Sequence, residues 1–267
     1  MLVRPDSIKG CDDRGNFYGS QAELAKAQTD NRTAWYAANA AYWKDGYGGR
    51  TDDEAMVGDE GGEEDGAEGL AFLDRLLAGD GDRVSNRPLA FDRALDAGAG
   101  VGRITKLVLL KRYREIRLVE GDVGWSRRSR AYLGRKRCDG RCTFTCTKLE
   151  DLDQNTIAGW GAPTDVVWLQ WTLQYLTDLD AIDTLRNLAL SLVETGYLIV
   201  KENRPYGGAR LDRFQMDTPD GGSGRYDITR TDNHHRLLFQ RAGLVVDLAE
   251  VGVETNTYAL VVGSLSA

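Results

Sequence analysis

Apolar and polar positions along this chain switch repeatedly between strand-like and helix-like spacing. Short apolar runs bounded by polar residues predict buried strands at Glu115-Ile116-Arg117-Leu118-Val119-Glu120 and at Asp165-Val166-Val167-Trp168-Leu169-Gln170-Trp171. Further strands are predicted in the lead-in to Asp96, at Arg141–Thr147, at Tyr197–Lys201, and in a closing pair, Leu244–Val251 and Thr257–Gly263. Helical spacing fills the gaps, at Ile104 to about Tyr113, Ser126–Leu133, Asp180–Leu192 and Asp232–Ala242. Strands alternating with helices of this length predict an α/β fold with a parallel sheet.

Upstream of the first strand the pattern is helical. Ala22, Leu24 and Ala25 lead to an Ala-rich stretch carrying Trp35, Tyr36, Tyr42 and Trp43, and Ala67 to Leu77 puts Leu70, Phe72, Leu73, Leu76 and Leu77 on one side until Asp80-Gly81-Asp82 ends it. Tyr42 and Trp43 read either as core or as one wall of a ligand pocket, since large rigid rings shape pockets at small entropic cost. Residues 1–20 are polar and punctuated, and are expected to form a loose arm. The expected organisation is therefore an arm over 1–20 and a single domain over 21–267, with a helical cap at about 21–80. A long insertion runs from Tyr206 to Tyr226, with Gly207-Gly208 and Asp220-Gly221-Gly222-Ser223-Gly224.

Composition narrows the class. With 34 Lys and Arg against 41 Asp and Glu, the formal charge is −7, so a nucleic-acid groove is not expected and a basic partner is. No run approaches the ~18 uninterrupted apolar residues of a membrane span, and Met1-Leu2-Val3-Arg4-Pro5-Asp6 lacks the basic and apolar regions of a secretory signal. A soluble protein of the cytoplasm or nucleus is expected. Four cysteines fit a reducing compartment rather than a disulfide scaffold. Cys138, Cys142 and Cys146 recur every fourth residue, but Thr143-Phe144-Thr145 between the last two reads as strand and no metal spacing is met, so no metal is expected. Nine acidic residues run from Asp52 to Glu68 without one Lys or Arg, a loop that reads either as a solvated linker or as an acidic rim attracting a cationic substrate tail.

Candidate chemistry concentrates at the carboxyl ends of the predicted strands. Asp96-Ala97-Gly98-Ala99-Gly100-Val101-Gly102 joins a strand to a helix N-terminus through three glycines at alternate positions, a turn on which a ligand can lie against bare backbone. A dinucleotide fingerprint would place its third glycine where Arg103 stands. The spacing instead resembles the loop with which class I methyltransferases hold S-adenosylmethionine. Glu120 ends the second strand about twenty residues on, where a carboxylate accepts hydrogen bonds from ribose hydroxyls. Leu149 and Glu150 follow the third strand, placed to pack on an adenine ring and accept from its amino group; Glu150 also fits an ordinary surface position. Gln170 and Trp171 end the fourth strand, and Glu202-Asn203-Arg204 the fifth, at the rim where open sheets bind ligands.

Taken in order, Ala41-Tyr42-Trp43-Lys44, Leu95 to Lys106, Ala131-Tyr132-Leu133-Gly134, Trp168-Leu169-Gln170-Trp171 with Leu176-Thr177-Asp178, Lys201-Glu202-Asn203 and Thr229-Arg230-Thr231-Asp232 resemble the α-N-terminal protein methyltransferases, which modify Xaa-Pro-Lys amino termini. The resemblance runs from about residue 34 to the end and marks the chain as a divergent member. It implies the class I, Rossmann-like fold, with a seven-stranded, mostly parallel sheet, helices on both faces and an N-terminal helical extension. It implies S-adenosylmethionine held by Gly98, Gly100, Arg103, Glu120, Leu149, Glu150 and Gln170, with Arg103 facing the cofactor carboxylate. It implies protein N-terminal tails as partners, an acceptor site lined by Trp43, Trp171 and Tyr175, and a catalytic pair of Asn203 and an aspartate.

Several positions depart from the family pattern. Gly58-Asp59-Glu60-Gly61 stands where family members carry a Gly-Gly-Tyr-Gly-like hairpin, Tyr175 where they carry His, and Glu120 where they carry Asp. Their acidic stretch survives as Leu211-Asp212 followed by an insertion, leaving the catalytic aspartate open among Asp212, Asp217 and Asp227. These departures keep two alternatives in view, a methyltransferase of the same fold acting on a small amine or metabolite, and a non-catalytic relative. His234 and His235, the two histidines of the chain, are expected on a surface helix and outside the chemistry.

Overall fold

The computed structural model describes residues 2–44, 62–79, 91–206, 213–252 and 254–263. Asp212, the hairpin position Gly58–Gly61 and most of the acidic run therefore lie outside the described residues. The strands are β1 (Lys9–Asp12), β2 (Phe17–Tyr18), β3 (Arg93–Ala97), β4 (Glu115–Glu120), β5 (Cys142–Cys146), β6 (Thr164–Gln170), β7 (Leu192–Asn203), β8 (Arg213–Asp217), β9 (Asp227–Thr229), β10 (Leu244–Val251) and β11 (Thr255–Val262). Seven of them form one sheet in the order β10-β11-β7-β6-β3-β4-β5. β3 pairs in parallel with β4 and β6, β4 in parallel with β5, and β10 antiparallel with β11. This is the mostly parallel, Rossmann-like sheet expected from the alternation of elements. β4 and β6 flank β3 on opposite sides, so the chain reverses its direction of winding at the carboxyl end of β3, the kind of switch point where open α/β sheets bind ligands.

The chain divides into two compact units, one comprising Met1–Tyr42, Gln170–Arg186 and Val200–Ala267, the other Trp43–Leu169 and Asn187–Ile199. In the second unit, β3 and β6 are buried along nearly their whole length, with Leu95, Val166, Val167 and Trp168 at 0% exposure. α3 (Gly62–Ala78) starts on Glu63, Glu64 and Asp65, three carboxylates favoured by the positive end of the helix dipole, so the tail of the acidic run is helix and not loop. α4 (Arg103–Leu107) is shorter than its apolar pattern suggested; Val108 leaves helical geometry and a 3-10 turn follows at Leu109–Lys111.

The first unit holds a second sheet, of order β2-β1-β8-β9, which corrects the expectation for the N-terminal segment. Residues 9–18 are not a loose arm: β1 runs parallel to β8 with Gly10 opposite Phe214, and a Cβ on Gly10 would run into the Phe214 ring. Ile8 is buried with Leu24, Trp35, Phe214, Met216, Ile228 and Leu237, and this shared core outweighs the polarity of the segment. The glycine-rich insertion in turn supplies β8, and β9 follows directly after it. α1 (Gln21–Asp30) is capped by Ser20, whose side chain accepts from Glu23 N, while the Glu23 carboxylate accepts from Gly19 N at 2.8 Å.

A buried ionic centre ties this unit together. Asp178 opens α8 (Asp178–Ala189) and is completely buried. Its Oδ1 accepts from Arg230 Nε and Nη2 at 3.1 and 2.9 Å, and its Oδ2 from Gln21 Nε2 at 2.9 Å, with His234 Nε2 2.8 Å away. Burial pushes the Asp178 carboxyl up, but His234 and Arg230 outweigh it and hold the group well below the usual carboxylate range. Asp178→Ala would strand the Arg230 guanidinium in the core and is expected to destabilise the fold by about 3–5 kcal/mol, read as a lowered urea midpoint; loss below about 1 kcal/mol would show that the centre is not cooperative with folding.

Candidate functional site

The glycine turn of the second unit is built by backbone. Gly98, Gly100 and Gly102 have φ of 72°, 53° and 87°, the left-handed region that side chains disfavour, and the amides of Gly98 and Ala99 both donate to Val119 O on β4. Asp96, at the end of β3, fixes the far side: its Oδ2 accepts from Thr105 N at 3.1 Å and Thr105 Oγ1 at 2.6 Å. Burial pushes Asp96 up to about 6, and the Thr105 hydrogen bonds hold it from going further. A side chain at Gly102 is strained by its φ of 87°, and a Cβ there would crowd Leu133 at 3.1 Å and Leu118 at 3.3 Å.

Glu120 stands at the end of β4 with both carboxylate oxygens directed at the loops. Oε2 accepts from Gly100 N at 2.7 Å and Oε1 from Asp122 N at 2.9 Å. Burial raises its pKa against these two bonds. The longer side chain noted against the family pattern thus reaches the glycine turn itself. Leu149 is buried at the head of a 3-10 turn after β5, and Glu150 beside it is 13% exposed with Lys148 Nζ at 3.9 Å. Trp43, on α2 (Arg32–Lys44), packs with Val101 of the glycine turn and Trp125; its carbonyl accepts from Trp125 Nε1 at 2.9 Å. Bare glycine backbone, a carboxylate at the strand end and a buried Leu with a neighbouring Glu form a donor and acceptor set suited to a nucleoside.

Arg103 holds a partner that the sequence pattern did not reveal. Its guanidinium is ion-paired with Asp65 of α3, and the two side chains are 4% and 9% exposed. Asp65 belongs to the acidic run read as linker or rim, and nothing in that run's spacing distinguishes it from its neighbours.

The second group of candidates lies in the first unit. Gln170 ends β6, and Trp171 follows with φ 52°, the single non-glycine residue of positive φ among the described residues. An indole in that conformation is strained by about 1–3 kcal/mol and persists where its surroundings over-determine it, a pattern that clusters at functional sites. Trp171 N donates to Lys201 O at 2.9 Å, and Gln174 Nε2 reaches Trp171 O at 3.4 Å. Asn203, at the end of β7, donates from Nδ2 to Gln174 Oε1 at 3.3 Å, which leaves its Oδ1 as an acceptor.

Tyr175 is half-buried in the same unit, its hydroxyl pushed up by desolvation and by Asp227, Tyr42 and Glu202, against the pull of Arg225. Arg225 sits 4.7 Å over the Tyr42 ring and 6.0 Å from the Tyr175 ring, donates from Nη1 to Tyr42 Oη at 3.0 Å, and lies with Nε 2.8 Å from Asp227 Oδ2. Of the three candidate aspartates, Asp217 on β8 and Asp227 on β9 are partners across the antiparallel ladder. Asp227 is the more buried; burial and Asp217 push it up to about 6 while Arg225 opposes them. Asp217 is also raised, by burial and by Asp13. Arg225 and Gln174 escaped sequence reasoning because one lies in an aperiodic insertion and the other in a short polar turn.

His234 and His235 are not on a surface face. Both are buried on α9 (Asp232–Arg241), at 0% and 1% exposure, the first against Asp178 and the second stacked on Phe239. Burial lowers the pKa of each. They belong to the core because α9 turns its histidine-bearing side inward.

Comparisons with known proteins bear on this geometry. The model of the AdoMet-dependent proline di-methyltransferase family matches residues 31–257. An alpha N-terminal protein methyltransferase 1 of Arabidopsis thaliana is 29% identical over 256 residues, 89% of this chain and 82% of that protein. An N-terminal Xaa-Pro-Lys N-methyltransferase 1 of Homo sapiens is 35% identical over 141 residues, 53% of this chain and 58% of that protein. A solved S-adenosylmethionine-dependent methyltransferase of Leishmania major is similar across 97% of both chains, with a TM-score of 0.72 and 25% identity. Replacing Glu120 by Ala releases the Gly100 amide and removes the strand-end carboxylate; S-adenosylmethionine binding measured by calorimetry is expected to weaken at least tenfold, about 1.4 kcal/mol, and an unchanged Kd would remove Glu120 from the site.

Proposed function

The chain belongs to the AdoMet-dependent proline di-methyltransferase family, and on that premise we propose that it methylates the α-amino group of protein N-termini of the Xaa-Pro-Lys type, using Asn203 and Asp227 at the acceptor. When bound, S-adenosylmethionine supplies the electrophilic methyl group of its sulfonium. Gly98, Gly100 and Glu120 would hold its nucleoside, with Leu149 against the adenine, Glu150 at its amino group and Gln170 at the strand end. Arg103 would meet its carboxylate while remaining anchored by Asp65.

The acceptor needs an unprotonated nitrogen, and an α-amino group has a pKa of about 7.7–8.0. Asp227, at about 6, is ionised at neutral pH and basic enough to take that proton. Asn203 Oδ1 would orient the second N–H, because Gln174 already occupies its Nδ2. The rings of Trp171 and Tyr175 suit a substrate proline, and the carboxylates of Asp217 and Asp227 a basic residue behind it. Asp227 carries this reading: of the two candidate aspartates among the described residues, it is the one that is buried, ion-paired with a cation and tuned towards neutrality.

Incubation with S-adenosylmethionine and Xaa-Pro-Lys peptides is expected to add methyl groups to the peptide amino terminus, read by mass spectrometry. Cofactor binding without product on any such peptide would overturn the substrate assignment. Asp227→Asn is expected to lower kcat/KM by about 10²–10⁴-fold at unchanged cofactor affinity, and a smaller loss than that of Asp217→Asn would move the base to Asp217. The pH dependence has a definite sign: a base near 6 is lost as pH falls through 6, so kcat/KM drops on the acid side. Arg225→Met removes the cation that opposes the rise, and the acid limb is expected to shift to higher pH.

A further inference from the structure

Glu202 precedes Asn203 on β7 and is 1% exposed. Its Oε1 accepts from Thr172 N and Leu173 N, both at 2.7 Å, while Oε2 is buried without a hydrogen-bond partner among the described residues. The first amides of a helical turn have no partner within the turn. Here a carboxylate thirty residues away in the chain takes up two of them at the head of the 3-10 turn Leu173–Tyr175.

The carbonyls of that turn are held from other directions. Arg230 donates from Nη1 to Leu173 O and from Nη2 to Leu176 O, each at 2.7 Å. Trp35 Nε1 and Asn39 Nδ2 donate to Tyr175 O at 2.7 and 3.2 Å. Every one of these donors comes from another segment, so the path of the chain from Trp171 to Leu176 is imposed on it by its surroundings. That path includes the left-handed Trp171 and places Gln174 against Asn203.

We propose that Glu202 is a positioning residue for the methyl acceptor: by capping the Thr172 and Leu173 amides it holds Trp171 in its left-handed conformation and Gln174 against Asn203. The inference rests on the reading that Trp171 and Asn203 face the acceptor. In the ionised form charge strengthens both bonds, since amides donating to a carboxylate bind about twice as strongly as amides donating to a neutral acceptor. The cation that faces the carboxylate is Arg230, whose own position is fixed by Asp178. Burial raises Glu202 to about 7 against the pull of the two amides and Arg230. An isosteric glutamine keeps the shape but loses the charge and puts an NH₂ group where Oε2 has no partner.

The test uses the full chain carrying Glu202→Gln. Turnover of an Xaa-Pro-Lys peptide is expected to fall at least tenfold and the peptide KM to rise, while S-adenosylhomocysteine affinity stays within twofold. The indole N–H resonance of Trp171 is expected to move, and hydrogen exchange over 171–176 to accelerate at least tenfold. Wild-type kcat and KM together with an unmoved Trp171 resonance would overturn the proposal. A purely structural role would lower thermal stability and leave both kinetic constants in place, which also overturns it. Should the variant not fold, hydrogen exchange of the wild-type protein decides: slow exchange at Thr172 and Leu173 supports the cap, and exchange at the rate of an open loop excludes it. Should the wild-type protein methylate no peptide, the functional reading fails by itself, and the resonance and exchange data still report on Glu202.

Discussion

A fully buried carboxylate is tolerated only where donors surround it, and much of the first unit is arranged to supply them to Asp178. Arg230 from the end of β9, His234 from α9 and Gln21 from α1 converge on one side chain, while Gln28 accepts from its amide. Isolated transfer of such a charge from water would cost many kcal/mol, so the network forms completely or the unit does not close. Arg230 then spends its remaining donors on the Leu173 and Leu176 carbonyls. The ionic centre thereby extends to the turn that carries Trp171, Gln174 and Tyr175. Stability and the geometry of that turn draw on the same guanidinium.

Two carboxylates illustrate how environment separates role from residue type. Asp178 is driven down by its donors, and Asp227 is driven up by burial and by Asp217 across the ladder, with one arginine in opposition. The first is held as an anion well below the usual carboxylate range. The second sits near neutrality, where a carboxylate can exchange a proton with an amine. The Arg225 guanidinium, lodged against Tyr42 and Tyr175 and 2.8 Å from Asp227, is well placed to set how far Asp227 rises.

Much of the fold was legible because its signals are local. Alternating apolar runs and helical stretches announced the parallel sheet, and the spacing of Gly98, Gly100 and Gly102 announced the turn, since only backbone conformation decides where glycine is needed. Glu120, Leu149 and Glu150 could be located because strand ends are found by counting. The strands of residues 1–20, expected as a loose arm, and of the segment from Tyr206 to Thr229 were not legible, for the opposite reason. Their strands are short and polar, and form through pairing of β1 with β8 and β8 with β9, across some two hundred residues in the first case. The histidines were misjudged because a helix wheel does not say which side meets the core when ionic partners from other segments lie inside.

The sequence by itself determined the class of fold, the cofactor-type loop and the set of candidate residues from which an acceptor site is proposed. Each of these follows from spacing within a few residues or from order along the chain. Only the tertiary structure decided that Arg103 faces Asp65, that Asp227 is the buried aspartate beside Arg225, and that Glu202 caps the turn before Asn203. Those choices are contacts between segments far apart in sequence, set by which side chains share a desolvated space. No periodicity records them, because the energy of a buried charge depends on its neighbours in space and not on its neighbours in the chain.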